Sequence, residues 1–282
     1  MKIAVMADMH GNYLVFKKSY DDAISRNVDL FFFLGDYLTD GFESNEIVDI
    51  IRNSNCHSIK GNREIVILEN HLYNNKSWNR YDQLSNFKFA SETISKDNIS
   101  YLNSLDITKV VEVEGKRICL SHGSPYLVNE HVISDSYETF DRIIEDFDCD
   151  MYLFGHQHKF FHTEYKNRQF INPGSIGLPT DGLPFKYGII TIENDNVNYE
   201  KVEIDYEYEM LEKHYKNSSY YREGRVWCEL ILMIMKTGIN HPILFQEFAY
   251  KKAFEEGIDV SVAFPNEFYN KAFEEYMTSL KK

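Results

Sequence analysis

Leu153-Phe154-Gly155-His156-Gln157-His158 ends a short apolar run that begins at Met151. A run this short, closing on glycine, reads as a buried strand that turns sharply at Gly155. The loop that follows presents two imidazoles with one residue between them, an arrangement suited to holding metal. A lone His-x-His is often a surface coincidence. The reading therefore depends on whether other strands also end in metal-binding side chains.

They do. Lys2 to Ala7 is a continuous β-prone run, as expected of a strand buried on both faces, and it ends at Asp8-Met9-His10-Gly11-Asn12. Tyr13 to Arg26 carries a helical stripe, and Val28 to Leu34 is a second apolar run ending at Gly35-Asp36. This is a β-α-β unit with parallel strands and a right-handed crossover. A helix over Glu43 to Asn53 leads to a short strand, Cys56 to Lys60, which closes on Gly61-Asn62-Arg63-Glu64. Ligands of open α/β sheets sit beyond the carboxyl ends of the strands, so these clusters should converge.

Further on, Glu64 to about Leu105 reads as helical, with a polar interruption at Asn74 to Arg80. Thr108 to Val113 and Arg117 to Leu120 form a hairpin ending at Ser121-His122-Gly123. Ser124 to Ser136 is a polar loop, and Tyr137 to Phe147 a helix. Two more hairpins are expected. One joins Phe160–Tyr165 to Gln169–Ile171 around Asn167-Arg168, and the other joins Tyr187–Ile192 to Val197–Val202 around Asn194-Asp195-Asn196. From about Asp205 strand signals vanish and aromatics recur at helical spacing. This places a boundary near Ile204, with one domain over residues 1–204 and a helical extension over 205–282. The extension's aromatics, among them Tyr208, Tyr215, Trp227, Phe245 and Phe273, suit packing against the main domain or a partner, including a second copy of the chain. A cap that stacks a nucleobase is the functional alternative.

The 282 residues are 43% hydrophobic and 15% aromatic, enough for a substantial core. A net charge of -14 repels polyanions, which argues against a long nucleic-acid partner but allows a small anionic substrate where metal reverses the local potential. Cys56, Cys119, Cys149 and Cys228 form no C-x-x-C pair and read as reduced thiols. The first strand starts at once with no signal-like apolar core, and the apolar run Trp227 to Met235 is too short to span a membrane and contains Glu229. The expectation is a soluble cytoplasmic protein with no membrane partner.

The groups following strands are Asp8, His10, Asp36, Asn62, His122, His156 and His158. Two carboxylates, four imidazoles and an amide suit first-row divalent ions (Mn, Fe, Zn, Co or Ni, with Mn or Fe favoured) over an all-oxygen Ca or Mg cage. Seven donors exceed one tetrahedral site, and two metals roughly 3.5–4 Å apart sharing a carboxylate fit the count. Singly, each residue has a plainer explanation. Asp36 and Asn62 suit turns or caps, and His122 suits a loop. Asn12 and Asn172 read as loop organisers. Asp40 suits either turn chemistry or orientation of a ligand histidine. Of the remaining histidines, His131 is the one whose loop could border the site.

The ordered set Asp8-x-His10, Gly35-Asp36, Gly61-Asn62, His122 and Gly155-His156-x-His158 resembles the calcineurin-like metallophosphoesterase superfamily over essentially residues 1–204. Asn172-Pro173-Gly174-Ser175 and Gly41, six residues after Gly35, resemble its small bacterial and archaeal phosphodiesterase branch, some of whose members act on dinucleoside polyphosphates. The resemblance implies an α/β sandwich of two mixed β-sheets face to face, flanked by helices. It also implies two divalent metals. Asp8, His10 and His158 would hold one and Asn62, His122 and His156 the other, with Asp36 bridging and a metal-bridging hydroxide attacking phosphorus. Asn62, Arg63 and His122 are the expected catalytic residues. The departure is Arg63, where many phosphatases of the superfamily carry a histidine that can protonate a leaving ester. A guanidinium can bind phosphoryl oxygens but cannot act as a practical acid, so phosphoanhydrides or activated phosphodiesters of a small substrate, such as a nucleotide, are expected. Pairing of Arg63 with Glu64 or another nearby carboxylate is the competing role. A monoester or protein phosphatase and a catalytically silent binding module are the alternative functions. A Ser-His-Asp triad is disfavoured, since no G-x-S-x-G elbow occurs.

Overall fold

The computed structural model describes residues 1–73, 77–194 and 196–281. The start of the expected interruption after Tyr73 and Asp195 of the last hairpin turn lie outside the described residues.

Two mixed five-stranded sheets form the core of the fold. In the first, β1 (Lys2–Met6) pairs parallel with β2 (Leu30–Phe33), and β2 pairs parallel with β3 (Cys56–Ser58). On the other side of β1 lies antiparallel β9 (Phe185–Glu193), then β10 (Asn196–Ile204). The second sheet runs β4 (Thr108–Val113), β5 (Lys116–Ser121), β6 (Met151–Leu153), β8 (Arg168–Pro173) and β7 (Phe160–Tyr165). Its three central strands are parallel and its two edge pairs antiparallel.

The period-two geometry of a strand explains why β1 is apolar throughout. Ile3, Val5 and Ala7 point between the sheets, where they meet Ile118, Leu120 and Leu153. Ala4 and Met6 point the other way, into a cluster with Val15 and Phe16 of α1 (Tyr13–Ser25) and Ile47 and Ile51 of α2 (Ser44–Asn53). Ile3 to Met6 are wholly inaccessible to solvent. Each large side chain so buried contributes about 1.5–3 kcal/mol over an exposed one. Outside the second sheet, Phe140 and Ile143 of α6 (Tyr137–Phe147) cover Tyr152, Phe154 and Phe170.

The sandwich, the hairpins and α6 match the sequence expectation, with several corrections. The stretch from Glu64 to Leu105 is three helices, α3 (Asn62–Tyr73), α4 (Ser85–Thr93) and α5 (Lys96–Ser104), with 3-10 turns at Ser77–Arg80 and Asp82–Leu84. Its periodicity marks one apolar face but does not show where that face is cut. β2 begins at Leu30, not Val28, and Phe154 follows β6. The β7–β8 turn is Lys166-Asn167, one residue earlier than expected. Both residues have positive φ, the twist that a two-residue hairpin loop requires.

The C-terminal stretch is helical: α7 (Tyr208–Lys216), α8 (Ser219–Glu223), α9 (Arg225–Thr237), α10 (His241–Glu256) and α11 (Asn266–Ser279). Leu211, Tyr215, Ile231 and Ile234 join the cluster that covers the first sheet. Phe245, Phe268 and Phe273 form a separate cluster with Leu230. No helix among the described residues is long and apolar enough to cross a membrane. The four cysteines are free thiols.

Candidate metal centre

Asp8, Asp36, His122 and His156 lie just past the C-terminal ends of β1, β2, β5 and β6, and Asn62 opens α3 beyond β3. Backbone bonds link these loops. Asp8 N donates to Gly35 O at 3.1 Å, His10 N to Asp36 O at 2.9 Å and Gly155 N to His122 O at 2.8 Å. Asp8, His10, Asp36, His156 and His158 all sit at positive φ, between 48° and 68°. Side chains rarely adopt that region, and its concentration here marks a site whose surroundings over-determine the backbone. Two glycines permit the crowding. A Cβ on Gly61 would collide with the Asp36 side chain, and one on Gly155 would lie 2.9 Å from His122 Nδ1.

The histidines are aimed by their outer nitrogens. His122 Nδ1 lies 2.6 Å from Leu34 O and His158 Nδ1 lies 2.8 Å from Leu178 O, so both Nε2 atoms face inward. His10 Nδ1 lies 2.9 Å from Asp40 Oδ2, off the line of an ideal hydrogen bond but within ion-pair range. Inside, His10 Nε2 is 2.9 Å from His158 Nε2 and 3.6 Å from Asp36 Oδ2. His158 Nε2 is 3.5 Å from Asp8 Oδ1, and His122 Nε2 is 3.4 Å from Asp36 Oδ2. One donor atom from each of Asp8, His10, Asp36 and His158 falls within 4.8 Å of the others. The His156 ring centroid lies 5.4 Å from that of His122, and Asn62 and His156 line the same cavity as Asp36.

These residues fit divalent metal. Among the described residues, Asp8 Oδ2, Asn62 Oδ1 and His122 Nε2 are buried with no hydrogen-bond partner. Buried polar atoms left unpaired in one place are costly, whereas a cation satisfies the two oxygens and, once His122 gives up its proton, its Nε2 as well.

The electrostatics agree. Burial, with repulsion from Asp36, pushes Asp8 up to about 6. Burial would raise Asp36 too, but His122, His10 and Arg63 outweigh it and hold its carboxyl well below the usual range. His122 would be lowered by burial, yet Asp36 and Asp8 lift it to about 9. His156 falls to about 4 through burial and the neighbouring His122. Burial and His10 push His158 well below its ordinary value.

Arg63 faces the site, about 24% exposed, with Nη2 3.5 Å from Asp40 Oδ2, Nε 3.9 Å from Asp36 Oδ2 and Cζ 5.1 Å from the Phe87 ring centroid. The competing role, pairing with a nearby carboxylate, is thus met by Asp40 and Asp36, while Glu64 points elsewhere. Its carboxylate is fully buried and accepts the backbone N–H groups of Asp36, Tyr37 and Gly61 at 2.8 Å and Leu38 at 3.2 Å. This anchor of the Asp36 loop was missed in the sequence, although Gly61-x-x-Glu64 has the spacing of a capping box. Asn12 donates to Gly177 O and Asn172 to Gly155 O, so both organise loops as expected. His131 lines the cavity. Trp227 and Ile231 of α9 and Ile243 of α10 line it too, so the extension borders the site as well as packing on the main domain.

The description "Calcineurin-like phosphoesterase superfamily domain" matches residues 1–195. The uncharacterized protein MJ0912 of Methanocaldococcus jannaschii is 28% identical over 228 residues, which are 71% of this chain and 91% of that one. A metallophosphoesterase from Sphaerobacter thermophilus superposes with a TM-score of 0.67 at 20% identity, over 85% of this chain and 100% of that one. The hypothetical protein PH1004 from Pyrococcus horikoshii gives 0.65 at 17%, over 82% and 97%. These two likenesses speak for the fold. The match over residues 1–195 carries the family: this protein belongs to the calcineurin-like phosphoesterase superfamily, phosphoester hydrolases that use divalent metals.

Proposed function

We propose that this phosphoesterase uses two divalent ions to cleave phosphodiester or phosphoanhydride bonds of a small substrate. Asp8, His10 and His158 would hold one ion, Asn62, His122 and His156 the other, and Asp36 both. The ions would supply Lewis acidity, neutralising phosphoryl charge and making bound water a nucleophile near neutral pH. The metallophosphoesterase domain is assigned to residues 1–204 and the helical extension to 205–282; the end of β10 at Ile204 supports this division.

The observation that carries the choice of substrate is Arg63, facing the cavity at the edge of the metal cluster. Burial would lower its pKa, but Asp40 and Asp36 raise it above the ordinary value. It therefore remains a cation and can donate to non-bridging phosphoryl oxygens as charge grows on them. It holds its protons too tightly to pass one to a departing alkoxide. Phosphate and activated leaving groups need none, whereas simple alkyl monoesters do.

The test is metal analysis of the purified protein followed by a panel of p-nitrophenyl phosphate, bis-p-nitrophenyl phosphate, sugar monophosphates and polyphosphate esters. Diesters or anhydrides should be cleared fastest, and faster turnover of sugar monophosphates would overturn the proposal.

A further inference from the structure

The cavity containing Arg63 encloses about 530 Å³, within the range that takes a small organic ligand. Its two sides differ in chemistry. One carries Asp36, Asn62, Arg63, His156 and His158. The other is built from the C-terminal helices. Trp227, Ile231 and Ile234 recur at i, i+4 and i+7, so they form one stripe of α9. Ile243 and Gln246, three residues apart on α10, face the same space, with Pro242 beside them and Asn240 at the helix start.

A phosphoryl group has no use for an apolar wall. Inorganic polyphosphate or a phosphosugar would leave it uncovered. An acyl chain would use the wall but not the two carboxamides. Asn240 Oδ1 caps α10 by accepting from Ile243 N at 3.3 Å, which leaves its amide N–H groups for a ligand. Gln246 is exposed, and its side chain makes no hydrogen bond among the described residues. Trp227 Nε1 is already engaged by Asp40, so its ring offers surface only. Lys159 also lines the cavity and has no ion-pair partner among the described residues, giving a second cation for phosphate oxygens.

We infer that the α9–α10 wall is the subsite for a planar heteroaromatic group of the nucleobase kind joined to the reacting phosphoryl group. Trp227 and Ile243 cover its face, and Asn240 and Gln246 read its polar edge. The inference rests on the function proposed above and names the organic half of the substrate.

Calorimetry on the full-length, manganese-loaded protein tests it with adenosine 5′-monophosphate and ribose 5-phosphate, which differ by the base. The nucleotide should bind about tenfold or more tighter, the scale of one base–aromatic contact. An Ile243→Ala/Gln246→Ala double substitution, at exposed positions of α10, should narrow that gap. Equal affinities in the unaltered protein would overturn the inference, as would an unchanged gap in the variant. If the protein still cleaves bis-p-nitrophenyl phosphate in that case, the phosphodiesterase reading stands and only the base subsite falls. Failure to cleave any diester or anhydride removes both.

Discussion

Trp227 Nε1–H donates to Asp40 Oδ1 at 2.7 Å, across 187 residues of sequence. Asn86 donates to the same oxygen at 2.7 Å, and the other oxygen faces His10 and Arg63. One buried carboxylate thus ties the helical extension to a candidate metal ligand and to the cationic group of the site. Trp227→Phe keeps a ring and removes the donor. The expected result is metal affinity weakened about tenfold, the lower end for loss of a group that orients a ligand, with the fold retained. Metal titration of the apoprotein, alongside circular dichroism, reads both. Unchanged affinity would mean the bond is structural only.

Asp36 is expected to serve both metals, and Asn62 one. Asp36→Ala should lower metal stoichiometry and abolish turnover, and Asn62→Ala should abolish turnover with loss of one ion. Metal content and activity on bis-p-nitrophenyl phosphate check both variants. Retained activity in both would sink the two-metal assignment.

Metal binding should release protons. In the metal-free protein His122 is raised to about 9 by Asp36 and Asp8 against its burial, so it is protonated at pH 7. A cation must displace that proton, and raising the pH removes the competitor. Apparent affinity for Mn²⁺ should therefore climb up to about tenfold per pH unit between about pH 7 and 9, then level off. Calorimetry in two buffers of different ionisation enthalpy gives the proton count directly. Affinity flat across this window would show that no proton leaves His122 when metal binds.

Glu64 should matter for stability before chemistry. Its two oxygens accept four backbone N–H groups that meet no water. Glu64→Ala strands all four, and at about 1–3 kcal/mol for each buried unsatisfied group the loss should reach at least about 4 kcal/mol. Glu64→Gln keeps one oxygen and sets an amide NH₂ against two of the donors, so it should also destabilise. Urea midpoints decide this, and a change below about 1 kcal/mol in Glu64→Ala would show that the loop is held by other contacts.

What the sequence revealed and what it hid follow from the range of each signal. β1, β2 and α1 could be read because period-two and helical patterns are local, and Asp8, His10 and Asp36 because each follows a strand end. Glu64 was hidden because a glutamate in a first helical turn ordinarily faces water, and only the fold brings four N–H groups around it. The α9 stripe was legible as an apolar face, but periodicity does not say whether that face meets a core or a cavity. Trp227 meets both, and its partner Asp40 looked equally suited to a turn.

On the function proposed above, Arg63 should decide what leaves. It is positioned between Asp36 and Asp40 and exposed to the cavity. Arg63→Ala should reduce kcat/KM on bis-p-nitrophenyl phosphate by about 10²–10³, as removal of one charge-stabilising donor does elsewhere. Arg63→Lys keeps the charge but loses the fork, so part of the activity should survive. Arg63→His is the sharper test. An imidazole titrates near neutrality and can protonate a leaving oxygen. The ratio of monoester to diester turnover should therefore rise, most of all below the pKa of that imidazole, where the ring is charged. A ratio equal to that of the unaltered protein across pH 5 to 8 would mean that position 63 does not face the leaving group, and the preference for diesters and anhydrides would need another cause.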